Sequence, residues 1–182
     1  MTEKKARKHG KFPIKALSIL LLVALLCTAI YLGGSPDPKI IRALPKYQTR
    51  TVANNGEWFG GRMKYAEYTY EKLYSDQVEE SEYFTLIDYE TLTKLKGFTE
   101  DFEKRAEQYQ KNGNPKNKEF ASGCCFYTEN VKEGDYCYLK TVPETAETVK
   151  DAKSYTVYYV DISEKTVYYI YAEISNNVIG VT

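Results

Sequence analysis

The chain has 182 residues, with 25 basic and 25 acidic side chains, one histidine and four cysteines. The single histidine, His9, lies in the N-terminal tail, so the rest of the chain has no imidazole for a Ser-His-Asp or Cys-His pair or for a metal. Residues beyond Leu32 carry 19 basic and 24 acidic groups; this acidic balance lacks the cationic surface that phosphate binding requires, and no nucleic-acid partner is expected.

Residues 1–13 form a basic tail, with Lys4, Lys5, Arg7, Lys8 and Lys11 against the single acid Glu3. An apolar run, Ile14–Leu32, follows, broken only by Lys15. At ~1.5 Å per residue a helix of this length covers roughly 28 Å, close to the thickness of a bilayer's hydrocarbon core. Pro13 suits a first helical turn and Gly33-Gly34-Ser35-Pro36 supplies a stop, so residues 14–34 read as a transmembrane signal-anchor with the lipid bilayer as its partner. The basic excess on the N-terminal side puts the tail in the cytoplasm and the remainder outside the cell membrane. Two processing alternatives remain open: signal cleavage after Cys27-Thr28-Ala29, and lipidation at Cys27, for which Leu26 is large. A prepilin pattern fails because the apolar helix has no glutamate.

Residues 35–50 read as a stalk, since Pro36, Pro38 and Pro45 disfavour regular structure. Residues 51–182 are long enough for one extracytoplasmic domain. Phe59, Met63, Ala66, Tyr70 and Leu73 recur at helical spacing and predict a first helix, although Tyr68 and Tyr70 also suit a strand. Tyr83–Asp88 is a strand candidate. Phe98, Phe102, Ala106 and Tyr109 give an apolar stripe for a second helix, with Thr99 as its cap and Asn112-Gly113-Asn114-Pro115 as its end. Phe120–Thr128 and Tyr136–Val142 predict a hairpin. A second one, Tyr155–Ile162 with Val167–Ile174 around a Ser163-Glu164-Lys165 turn, is the strongest signal, being dense in β-branched and aromatic residues. The order predicts an α+β fold, helices packed on an antiparallel β-sheet. It resembles the cystatin-like and NTF2-like arrangement, in which a sheet wraps a helix; the resemblance rests on element order and implies no function.

The chemistry is sparse. No Walker loop, GxGxxG or EF-hand loop occurs, and no catalytic, cofactor-binding or metal residues are assigned. Asp88 and Asp161 each follow a strand-like run, where an aspartate more often bonds its own turn than performs catalysis. In the predicted hairpin Cys125 lies opposite Cys137, a disulfide candidate that leaves Cys124 free. Seventeen of the eighteen tyrosines lie beyond the apolar run that ends at Leu32, and the pairs Tyr158-Tyr159 and Tyr168-Tyr169 are a candidate binding surface. These features point to a single-pass membrane-anchored envelope protein whose outer domain binds an unidentified protein or cell-wall ligand without catalysis. The alternatives are an envelope hydrolase with paired carboxylates and an accessory subunit of a membrane complex.

Overall fold

The computed structural model describes residues 38–54 and 61–174. The basic tail and the expected anchor, Ile14–Leu32, lie outside the described residues. Among the described residues no helix is long and apolar enough to cross a membrane. The chain divides into two compact units, Met1–Ile41 and Arg42–Thr182. Where they meet in sequence is a single helical turn, α1 (Lys39–Arg42); the elements that follow belong to the second unit.

That unit is an α+β fold. Its strands are β1 (Thr49–Asn54), β2 (Met63–Thr69), β3 (Thr85–Leu86), β4 (Tyr136–Val142), β5 (Ser154–Asp161) and β6 (Thr166–Glu173). They form one antiparallel sheet in the order β1-β2-β6-β5-β4-β3. Between β2 and β3 lies α2 (Ser75–Glu79); between β3 and β4 come α3 (Tyr89–Asn112) and α4 (Pro115–Ser122).

Strand alternation sends every second side chain to the same face. One face presents Met63, Tyr65, Tyr155, Val157, Tyr159, Ile170 and Ala172, which pack into one core with Leu95, Phe98 and Phe102 of α3 and Phe120 of α4. Phe98 meets Tyr155 edge-on at 5.1 Å, and Phe102 meets Phe120 at 6.4 Å. Polar tethers fix the helix over the sheet: Tyr155 donates to Asp101 Oδ2 (2.9 Å), which also receives Arg105 Nε at 2.6 Å. The backbone N–H of Thr128 donates to Glu103 Oε2 at 3.1 Å.

The expected C-terminal hairpin is present as β5 and β6. Its turn is tied by Asp161, whose Oδ1 accepts from Glu164 N (2.9 Å) and Ser163 Oγ (2.6 Å), so this aspartate is a turn residue. The expected long helix is also present, but it starts ten residues before Thr99. Asp88 caps it by accepting from Thr91 N at 2.8 Å, while Thr99 is buried and returns a bond to Lys96 O.

Three expectations are corrected. The first helix predicted over Phe59–Leu73 is strand β2 where it is described. Met63, Tyr65, Ala66 and Tyr68 are all buried, because both faces of this strand are covered, and the resulting spacing imitates a helical stripe. Gly61 precedes it at φ +82°, so close to β6 that a Cβ would lie 2.2 Å from Glu173 O. The strand predicted over Tyr83–Asp88 shortens to two residues, since Asp88 is taken as the helix cap. The hairpin predicted from Phe120–Thr128 to Tyr136–Val142 has only its second strand. Asn114 accepts from Asn117 N and Pro115 occupies the first turn, so the segment read as a helix end also starts α4, which carries Phe120 into the core. The partners of β4 are β3 and β5.

Candidate functional site

The loss of that hairpin removes the geometry proposed for a Cys125–Cys137 bridge. Cys137 lies in β4, with Thr85 and Tyr159 as cross-strand neighbours, and Cys124, Cys125 and Cys137 are all free thiols. Cys125 is exposed. Burial pushes the thiols of Cys124 up to about 12 and of Cys137 up to about 11, so neither is a ready nucleophile.

The register divides the four candidate tyrosines between opposite faces. Tyr159 and Tyr168 stack at 6.1 Å on the helix side, where Phe126 meets Tyr168 edge-on at 5.4 Å. Tyr158 and Tyr169 lie on the other side, 4.9 Å apart, in a row continued by Tyr138 and Tyr83. Tyr158 and Tyr159 are buried, and Tyr168 and Tyr169 are half-buried. Burial raises the phenol pKa of all four, those of Tyr168 and Tyr169 to about 12. These rings therefore serve first as packing material, and they do not converge on one open surface.

The structure opens elsewhere. A cleft of about 610 Å³ runs along β4, between it and the first two turns of α3. Leu95, Cys137 and Leu139 supply its apolar parts. Its polar residues include Asp88, Glu90 and Lys94 on the helix side, Lys140 and Thr141 on the strand, and Glu144 and Glu147 on the following loop. Lys94 Nζ pairs with Glu147 Oε2 at 2.5 Å, tying the helix to that loop. Asp88 is held below the usual carboxylate range by the Thr91 N–H it accepts at the helix start.

β3 covers only Tyr136 and Cys137, which leaves Tyr138–Val142 without a partner strand on that side. Ile87 N donates to Asp135 O at 2.8 Å and Thr85 Oγ donates to Cys137 O at 3.3 Å, so Asp135 and Cys137 turn their carbonyls toward β3. Alternation along an antiparallel strand turns the backbone N–H and C=O of Leu139 and Thr141 the same way, onto the cleft. Val142 O, at the opposite phase, bonds Lys153 N on the β5 side.

The sequence reading missed this cleft. Its signal was present: a strand followed at once by Pro143, with Lys140 as its only charged residue, is typical of a sheet edge. Among the described residues no group of three or more His, Cys, Asp or Glu is arranged to hold a metal. The chain matches no family model, no curated protein and no solved structure.

Proposed function

We propose that the chain is a single-pass membrane-anchored envelope protein, with its N-terminus cytoplasmic and its outer domain binding a protein or wall ligand in the cleft beside β4. The observation that carries the binding reading is the cleft itself, lined mainly by polar and charged side chains with Leu95, Cys137 and Leu139 among them, and bordered by a stretch of β4 that no other strand pairs. Ligand sites are concave and orient what they hold through a few placed polar groups. The anchor rests on the apolar run Ile14–Leu32 and the basic tail before it.

Four carboxylates border the same cleft, which keeps a hydrolase in view. Their surroundings favour binding: Asp88 is committed to the helix cap, Glu147 to Lys94, and Glu90 and Glu144 are exposed to water. General acid–base catalysis needs carboxyls positioned on a reacting group, and these four are either engaged in other bonds or exposed.

The test is site-specific photocrosslinking of the full-length protein in intact cells. A photoreactive residue at Lys140 should trap a discrete adduct, and the same residue at Lys116 on α4 should not. Equal labelling at both positions, or none at Lys140, overturns the assignment. Externally added protease should digest the outer domain; its protection would overturn the topology.

A further inference from the structure

We infer that the occupant of the β4 cleft is an extended, basic polypeptide segment, which pairs with Leu139 and Thr141 as an added strand. This rests on the binding reading above and names its partner. Main-chain pairing at a sheet edge supplies affinity in such complexes, and alternate side chains supply specificity.

The backbone argument comes first. The open stretch Tyr138–Val142 spans roughly 17 Å at ~3.4 Å per residue, enough to pair three to five residues of a guest. Its outward amide groups belong to Leu139 and Thr141, and β3 ends just short of them. A saccharide or lipid has no ladder of alternating donors and acceptors to match. An extended peptide does.

Charge then selects among peptides. Around the cleft Asp88, Glu90, Glu144 and Glu147 outnumber Lys94 and Lys140, and the Lys94–Glu147 pair neutralises one of each. An added strand directs alternate side chains toward α3, where Glu90 and Glu144 receive basic groups whose aliphatic stems lie against Leu95 and Leu139, and it turns the intervening apolar side chains to the face of Tyr138. The matching guest alternates apolar residues with Lys or Arg.

A second copy of this chain is disfavoured as the occupant. Two-fold pairing centred on the open stretch would set Lys140 against Lys140, and like charges directly opposed on neighbouring strands are destabilising.

The experiment uses the full-length protein in detergent and three fluorescent seven-residue peptides. One alternates Lys and Val, one alternates Glu and Val, and one is the Lys-Val peptide methylated on alternate backbone nitrogens. The Lys-Val peptide should bind; the Glu-Val peptide and the methylated peptide should each bind at least about tenfold more weakly. The double variant E90Q/E144Q, both sites exposed, should weaken Lys-Val binding several-fold with an unchanged circular dichroism spectrum. Equal binding of the methylated peptide would show surface adsorption and overturn strand addition. Equal binding of the Glu-Val peptide would overturn the charge selection. If no peptide binds while the Lys140 crosslink persists in cells, the peptide occupant is wrong and the binding cleft stands. If the crosslink is absent as well, both fail.

Discussion

The Tyr159 hydroxyl oxygen lies 2.6 Å from Asp135 Oδ2 and 2.8 Å from the Asn130 carbonyl oxygen, so one phenolic hydrogen faces two acceptors. Were Asp135 protonated, its carboxyl could donate to Tyr159 while Tyr159 donates to Asn130. Burial is the main reason the Asp135 carboxyl is pushed up from its ordinary value, with nearby Asp161 adding to it. The bonds from Tyr159 and from Ile162 N, together with Lys132 Nζ at 3.8 Å, oppose the shift without cancelling it. A group whose folded pKa is raised stabilises the fold below its unfolded value, and loses that contribution as pH rises through the folded value. The melting temperature of the native protein relative to Asp135→Asn should therefore fall as pH increases from about 4 toward neutrality. Thermal melts of both proteins across this range check it; a constant difference would refute the protonated carboxyl.

The thiols provide a second check. Cys125 is exposed, whereas Cys124 and Cys137 are raised by burial. Thiolate is the reactive form, so under native conditions Cys125 should alkylate first among these three, with Cys124 and Cys137 following only on unfolding. Peptide mapping after a timed iodoacetamide pulse reads this order. A Cys125–Cys137 linked peptide in non-reduced digests would contradict it.

Tyr158 distinguishes packing from ligand capture. It is 3% exposed and its ring contacts Tyr138 and Tyr169. Tyr158→Ala should destabilise the domain by about 3–5 kcal/mol, the usual cost of deleting a buried aromatic ring. Tyr158→Phe keeps the ring contacts and should cost less than about 1.5 kcal/mol. Denaturant unfolding of the two variants measures the gap. An alanine variant as stable as the native protein would return this tyrosine to the binding surface.

These residues also show what the sequence made legible. β5 and β6 could be read because their β-branched and aromatic density is local, and Asp161 sits where a turn aspartate belongs. The α3 stripe Phe98-Phe102-Tyr109 could be read because its other face is charged and solvated. β2 could not, because burial on both faces erases the alternation that marks a half-exposed strand. α4 was hidden by the apolar run around Phe120, and only its Asn-Pro start distinguishes it from a strand. The cleft depends on how far β3 extends along β4, a fact of pairing that no local pattern encodes.

The helix wall of that cleft can be strengthened at one position. Gly97 is exposed in the interior of α3, one turn beyond Lys94, and no neighbouring heavy atom lies within 4 Å of where its Cβ would be. Glycine there leaves the unfolded chain with more freedom to lose and adds no packing, while its helical backbone is one alanine adopts without strain. Gly97→Ala should stabilise the domain by about 0.5–1 kcal/mol, which corresponds to a rise of roughly 2–4 °C in melting temperature for each full kcal/mol in a domain of this size. Because the substitution does not alter the Lys94–Glu147 tie or the open edge of β4, binding of the Lys-Val peptide should be unchanged. Calorimetry of the variant beside the native protein tests the stability. A lowered melting temperature would mean that α3 is not regular helix at Gly97, and the wall of the cleft would need to be redrawn.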